Sequence, residues 1–239
     1  MNKKLNLKVK NKLTEYLEFD SDLLFQDVDY GYIFGGAIRD IIGDCEINDI
    51  DLLCINHSYK KLCDILERNG YINNFKYTTK DIMSMYTDIK VIFEPTNFIK
   101  TSGNKIKTVQ LIRPSFAMDK LNSTKDYDKL LEIAIYNVDI NICGVYYHSS
   151  FGVKESVEDS IFFIKNKAFL VNKEASMFQN TRIFGRVYKL EKKGYICLDA
   201  NYSNMYLNNP FMKDIKYEKF KSDFYKKLER YKKLKYLVC

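Results

Sequence analysis

The sequence predicts an α+β fold: a mixed sheet flanked by helices, followed by a small helical C-terminal region. Two observations carry this reading. Through the first two thirds of the chain, short runs rich in β-branched and aromatic residues alternate with stretches whose apolar residues recur at helical spacing. From Glu174 onward only the helical spacing remains. The change of pattern near residues 165–173 divides the 239 residues into a mixed domain at 1–168 and a helical region at 169–239. A chain of this length buries a sizeable core without help from disulfides.

In chain order, the first helix is expected over residues 3–18, where Leu5, Leu7, Val9, Leu13, Leu17 and Phe19 form an apolar series. Tyr30–Phe34 reads as a strand that stops at Gly35-Gly36, and Ile47–Ile55 reads as a strand in which Asp49 and Asp51 share one side. A helix follows over 58–69, with Tyr59, Leu62, Ile65 and Leu66 at helical spacing. Strands are expected at 89–93, 108–112 and 136–147, with a helix over 124–135 before the last. Toward the C-terminus, one helix is expected from Phe178 to Lys193, closed by Gly194, and a strongly basic one from Lys213 to Tyr236. On that last helix Tyr217, Phe220, Phe224, Leu228 and Tyr231 form one stripe, which reads as core.

Charge and cysteine usage bound the setting. The 38 Lys and Arg against 31 Asp and Glu give +7, which suits a polyanionic partner and equally fits a mildly basic soluble protein from an AT-rich genome. The six cysteines form no CxxC pair and no zinc-like spacing with His57 and His148, so reduced thiols are expected. The basic N-terminus leads into no signal-type apolar core, and no apolar run is long enough to cross a bilayer. A cytoplasmic protein with no membrane partner is expected.

The densest chemical signal is GGAIRDIIGDCEINDIDLL, residues 35–53. A strand that ends in two glycines and runs into a helix lets backbone amides approach phosphate oxygens with no Cβ in the way. Asp49 and Asp51, two apart on one strand, point to one face, where their carboxylates repel unless a cation lies between them. Oxygen ligands with room left for substrate phosphates suit Mg²⁺. A glycine pair alone is usually a turn, and a bare DxD is usually a solvated edge; the two separated by one helix's length of chain point to a phosphate and metal site.

These residues resemble a known pattern. Gly35-Gly36-Ala37-Ile38-Arg39-Asp40 followed by Asn48-Asp49-Ile50-Asp51 is similar to the GGxxRD and DIDL signature of DNA polymerase β-type nucleotidyltransferases, in the branch that holds bacterial poly(A) polymerases and class II tRNA CCA-adding enzymes. The stretch 136–143 resembles that branch's RRDFTINA strand, and 181–195 resembles its neck helix, so the resemblance runs in order over about residues 28–196. The branch's aspartate in RRDFTINA falls on Asn137, with Asp139 as the substitute, and its EDxxR reads Phe178-Gln179-Asn180-Thr181-Arg182, keeping the arginine without the acidic pair.

The resemblance implies a nucleotidyltransferase head over 1–168 and a neck and basic C-terminal region over 169–239. It implies attack of a hydroxyl on the α-phosphorus of a nucleoside triphosphate, assisted by two Mg²⁺, or Mn²⁺, ions. Asp49, Asp51 and Asp139 are then the catalytic and metal-binding residues, and Gly35, Gly36, Arg39, Gln179, Arg182 and Arg186 the nucleotide-binding ones. Lys226, Lys227, Arg230 and Lys233 would hold the backbone of an RNA whose 3′ end is the acceptor, and the competing reading of these lysines is a soluble helix face. Asp40 reads as structural. Transfer to a protein or small molecule, and an inactive nucleic-acid-binding relative, are the alternatives; the paired aspartates argue against the last. Oligomeric state is not legible.

Overall fold

Four leucine and valine side chains set the first element. Leu5, Val9, Leu13 and Leu17, spaced four apart, are the buried stripe of helix α1 (Lys3–Leu17), and Asn2 caps it by accepting a hydrogen bond from the Leu5 amide at 3.1 Å. The structure is a computed structural model that describes residues 2–26, 31–54, 56–74, 92–115, 138–172, 180–199, 202 and 215–237. The chain forms two compact units, Met1–Val138 with Cys143–Glu158, and Asp139–Ile142 with Asp159–Cys239.

The first unit is built on a seven-stranded sheet with the order β3-β4-β5-β2-β1-β6-β7. Its strands are β1 (Gly31–Phe34), β2 (Asp49–Cys54), β3 (Ile72–Asn73), β4 (Ile92–Ser102), β5 (Lys105–Ser115), β6 (Val145–His148) and β7 (Gly152–Glu155). All neighbours are antiparallel except β2 and β5. Helix α2 (Gly36–Ile42) packs on β1, β2 and β6, α3 (Asn56–Arg68) on β5, and α1 on α2 and β7. The face they cover buries Ile33, Ile50, Leu52, Val109 and Leu111 completely. Tyr59 of α3 fastens that helix to the sheet by a 2.8 Å hydrogen bond with Thr96.

Glycine matters at closely packed points in this unit, Gly144 against Val157 and Gly152 against Asn6. Gly152 has φ +74°, and a Cβ there would meet the Asn6 side chain at 2.1 Å. The room it leaves lets Asn6 of α1 accept a hydrogen bond from the Val153 amide at 3.0 Å, stitching the helix to the edge strand.

The second unit contains α4 (Ser160–Lys165), α5 (Asn180–Lys192) and α6 (Ile215–Leu237), with β8 (Ala168–Phe169) parallel to β9 (Ile196–Cys197). Phe224 and Leu228 of α6 are buried, and its aromatic stripe packs on α4, with Phe162 and Tyr231 rings 4.6 Å apart and Phe163 and Phe224 rings 4.9 Å apart. Gly194 closes α5 at φ +82°, as expected from its place after the last helical turn. No helix among the described residues is long and apolar enough to cross a membrane.

Several expected elements shift. The strand expected at 89–93 is described only from Ile92, where β4 begins and runs on to Ser102. The helix expected over 124–135 lies outside the described residues, as do residues 136–137 and 178–179. The single strand expected over 136–147 is broken: Asn141–Cys143 is a 3₁₀ turn, and β6 starts only at Val145. Asn141 accounts for the break, because its side-chain oxygen accepts from the Leu170 amide at 2.8 Å and its carbonyl accepts from the Ser160 hydroxyl at 2.8 Å. The backbone just before it pairs instead with residues 170–172, through an antiparallel bridge between Ile140 and Val171. The short pieces β3, β7, β8, β9 and α4 carry too little periodicity to be read from sequence.

Within the second unit, Glu191 of α5 has a carboxylate oxygen that is buried without a hydrogen-bond partner among the described residues. Burial pushes its pKa from 4.5 up to about 7. A carboxyl that is harder to ionise when folded binds more protons in the native state, so its contribution favours folding below pH 4.5 and is lost as pH rises through about 7. Glu191→Gln is expected to flatten that fall. Thermal midpoints of the two proteins should converge near pH 5 and separate by pH 7.5, with the variant the higher melting.

Candidate active site

The polar face of β2 follows from its apolar one. Ile50, Leu52 and Cys54 are buried, so alternation turns Asp49 and Asp51 to the opposite face, where both are half-exposed. Phe34, the last residue of β1, lies opposite Asp51, so the chain that continues as Gly35-Gly36 passes beside Asp49 and Asp51. The structure therefore brings together the two features read as one signal in the sequence. Among the described residues no cationic side chain pairs with Asp49.

Gly35 and Gly36 have different reasons to be glycine. Gly35 sits at φ +69°, ψ −121°, a conformation L side chains avoid, and a Cβ there would meet nothing within 4 Å. Gly36 has no such backbone demand, and an added Cβ would meet only Arg39 Nη2 at 3.6 Å, an ordinary contact. The fold thus requires the first glycine and merely tolerates the second. Gly35 is itself buried, and Gly36 is the half-exposed member of the pair.

The turn is held from behind by Arg39 and Asp40. Asp40 is buried, and its Oδ1 accepts from Arg39 Nε at 2.8 Å and pairs with Nη2 at 2.7 Å, while Nη1 donates to Cys143 Sγ at 3.3 Å. Burial opposes the charge of Arg39, yet the Cys143 sulfur and the Asp40 carboxylate outweigh it, and the guanidinium pKa rises. The Gly35 amide donates to the Val145 carbonyl at 2.9 Å, which ties the turn to β6.

Tyr16 is a site-supporting residue that sequence reasoning missed. From α1 its hydroxyl donates to the Asn48 carbonyl at 2.9 Å and accepts from the Thr108 amide at 2.9 Å, closing the end of the parallel β2–β5 pair beside Asp49. Burial raises its pKa, the Thr108 backbone works against that, and the Asp49 charge adds to it. No local motif announces a contact made 32 and 92 residues away.

The remaining predicted residues belong to the second unit or lie outside the described residues. Asp139 and Arg186 belong to the second unit and hold one another, with Arg186 Nη1 2.7 Å from both carboxylate oxygens. Asp139 is not in a strand, and its carbonyl accepts from the Asn172 amide at 2.8 Å. Arg182 is on α5, and Gln179 lies outside the described residues. Lys226, Lys227, Arg230 and Lys233 are exposed on α6, where Lys226, Arg230 and Lys233 line a shallow groove with Ser222, Tyr225 and Glu229. Among the described residues no three His, Cys, Asp or Glu side chains gather into a metal cluster. Two carboxylates alone fit Mg²⁺, which is commonly held by one or two carboxylates plus substrate phosphates.

Comparison with solved structures bears on this arrangement. A CCA-adding enzyme in complex with CTP matches at a TM-score of 0.52 and 13% identity, over 88% of this chain and 46% of that one. The fold is that of CCA-adding enzymes. An apo form matches at a TM-score of 0.51 and 13% identity with the same coverage, and a complex with ATP at 0.51 and 14% identity, over 83% of this chain and 42% of that one. The chain therefore spans less than half the length of the structures it matches. No family model matches the sequence, and comparison with curated proteins finds no match. The seven-stranded sheet with its flanking helices thus shares its fold with the matched part of these enzymes.

The contrast between the glycines is testable. Gly36→Ala is expected to fold with unchanged stability and to weaken nucleoside triphosphate binding, whereas Gly35→Ala should lose about 1–3 kcal/mol of stability from its forced left-handed backbone. Titration calorimetry measures the first effect and denaturant midpoints the second.

Proposed function

We propose that this chain is a metal-dependent nucleotidyltransferase that moves a nucleoside monophosphate from a nucleoside triphosphate to the 3′ end of an RNA, releasing pyrophosphate. The observation that carries the reading is the register that sets Gly35-Gly36 beside Asp49 and Asp51 in a fold shared with CCA-adding enzymes. Those enzymes bind CTP and ATP in the matched structures, which favours a nucleotide as the ligand of the corresponding turn here.

The chain's own residues divide the work. The Gly35-Gly36 backbone receives the triphosphate, and Asp49 and Asp51 would hold the divalent cations. A cation held there neutralises phosphate charge and lowers the pKa of an attacking hydroxyl. The rigid β2–β5 pair, closed by Tyr16, fixes the two carboxylates relative to the turn, so that little rearrangement precedes reaction. Asp139 is tied to Arg186 in this structure, and its service as a third ligand requires that ion pair to open. The assignment therefore rests on Asp49 and Asp51. Exposed Lys226, Lys227, Arg230 and Lys233 supply phosphate contacts for the acceptor.

Incubation of the protein with each labelled nucleoside triphosphate and a mixture of RNAs tests the central claim. Asp49→Ala and Asp51→Ala should each lower transfer about a hundredfold or more and leave thermal stability unchanged or slightly higher in the absence of metal, because a like-charge repulsion is removed. Wild-type turnover by either variant would sink the assignment.

The basic helix makes a separate prediction. If four of its cations each neutralise one phosphate of a single strand, RNA affinity falls about 50-fold between 50 and 200 mM salt. Reversal of Lys226, Lys227, Arg230 and Lys233 to Glu should weaken RNA binding and spare triphosphate binding. Salt-insensitive acceptor binding, with normal transfer by the reversed variant, would point to a protein or small-molecule acceptor.

A further inference from the structure

A row of side chains crosses the sheet from the paired aspartates. Asp51 lies opposite Phe34, Phe34 opposite Tyr146, and Tyr146 opposite Lys154, so these four residues of β2, β1, β6 and β7 share one face. With neighbouring strands about 4.8 Å apart, Tyr146 is displaced about 10 Å from Asp51 and Lys154 about 14 Å.

The row widens into an aromatic surface. Tyr32 lies 5.6 Å from the Tyr146 ring at 81° and 5.6 Å from the Phe151 ring, and Tyr146 and Phe151 are 6.3 Å apart. Phe34, Tyr32, Tyr146 and Phe151 are all half-exposed and Lys154 is exposed. On the other face the same strands bury Ile33 at 0% and Tyr147 at 3% exposure, while on this face Tyr32 and Phe151 also cover buried His148, whose ring stacks on one side of Phe151 at 4.8 Å. Half-exposed aromatics with a cation at the far end and carboxylates at the near end match the needs of an unpaired polynucleotide: ring faces for bases and a positive charge for a phosphate.

We propose that this row binds the unpaired 3′-terminal nucleotides of the acceptor strand, with bases stacked on the Tyr146, Tyr32 and Phe151 cluster and a phosphodiester at Lys154. The proposal rests on the nucleotidyl-transfer reading, in which the triphosphate occupies the Gly35-Gly36 turn and the row leads away from it. Recognition through ring faces tolerates any base, because every base has a π-face. It also excludes a fully paired end, whose bases are already stacked on one another.

The test is the fluorescence anisotropy of a labelled single-stranded RNA with a 3′-deoxy terminus, measured without any nucleoside triphosphate. Tyr146→Ala and Lys154→Glu should each weaken binding about tenfold, and Tyr146→Phe should bind like wild type. Removing the bases of the last nucleotides from the RNA should erase the difference between Tyr146→Ala and wild type, and a blunt duplex should not compete. Lys154 is exposed, so its variant reports even if Tyr146→Ala fails to fold. Wild-type affinity in Tyr146→Ala and Lys154→Glu, or in Lys154→Glu alone should Tyr146→Ala not fold, overturns the site, as does equal binding of the duplex. If no acceptor is ever extended yet the single strand binds through Tyr146, the transfer reading fails and this site stands. If transfer proceeds with an unchanged KM for the acceptor in Tyr146→Ala, the site fails and the transfer reading stands.

Discussion

The arrangement of the first unit depends on strand β2 lying between β1 and β5 in one register. Ile50 and Leu52 are fully buried on one side, and with a side-chain period of two this forces Asp49 and Asp51 to the other. A slip of one residue would bury both carboxylates and expose both aliphatics, so the hydrophobic effect that stabilises the sheet also holds the candidate site in place. The same register brings the end of β1, and therefore the glycine turn, beside those carboxylates.

What surrounds that strand stiffens it. Tyr16 closes one end of the parallel pair through backbone hydrogen bonds, and the Arg39–Asp40 pair fills the space behind the turn with satisfied charge. A buried ion pair of this kind adds little net stability, but either partner alone would be costly, so the two hold one local geometry. Half-exposed Gly36 beside half-exposed Asp49 and Asp51 leaves this part of the sheet to face a ligand while the buried groups serve as scaffold.

The second unit separates its two kinds of residue along a single helix. Phe224 and Tyr231 of α6 face the Phe162 and Phe163 side of α4, while Lys226, Lys227, Arg230 and Lys233 remain in water. One 23-residue helix thereby serves as core on one stripe and as a cationic surface on another. In α5 the division is less complete. Arg186 holds buried Asp139 from an exposed position, and Glu191 is caught where burial disfavours its charge.

Local pattern determined a good deal about this protein. The apolar stripes of α1 and α6, the helix stop at Gly194, the strand β2 with its aspartates on one side, and the Gly35-Gly36 turn are all encoded within a few residues, because helix and strand periods and glycine's freedom at positive φ are local properties. The tertiary structure decided what depends on distant chain. It broke the expected strand at Asn141, where residues 139–141 pair with 170–172 and Ser160 bonds the Asn141 carbonyl, and it matched Asp139 with Arg186 across 47 residues. It also brought Tyr16 to the end of β2 and aligned Asp51, Phe34, Tyr146 and Lys154 in one row. Such contacts are set by which strands become neighbours, and that choice follows from the burial of whole apolar faces and not from any short stretch of sequence.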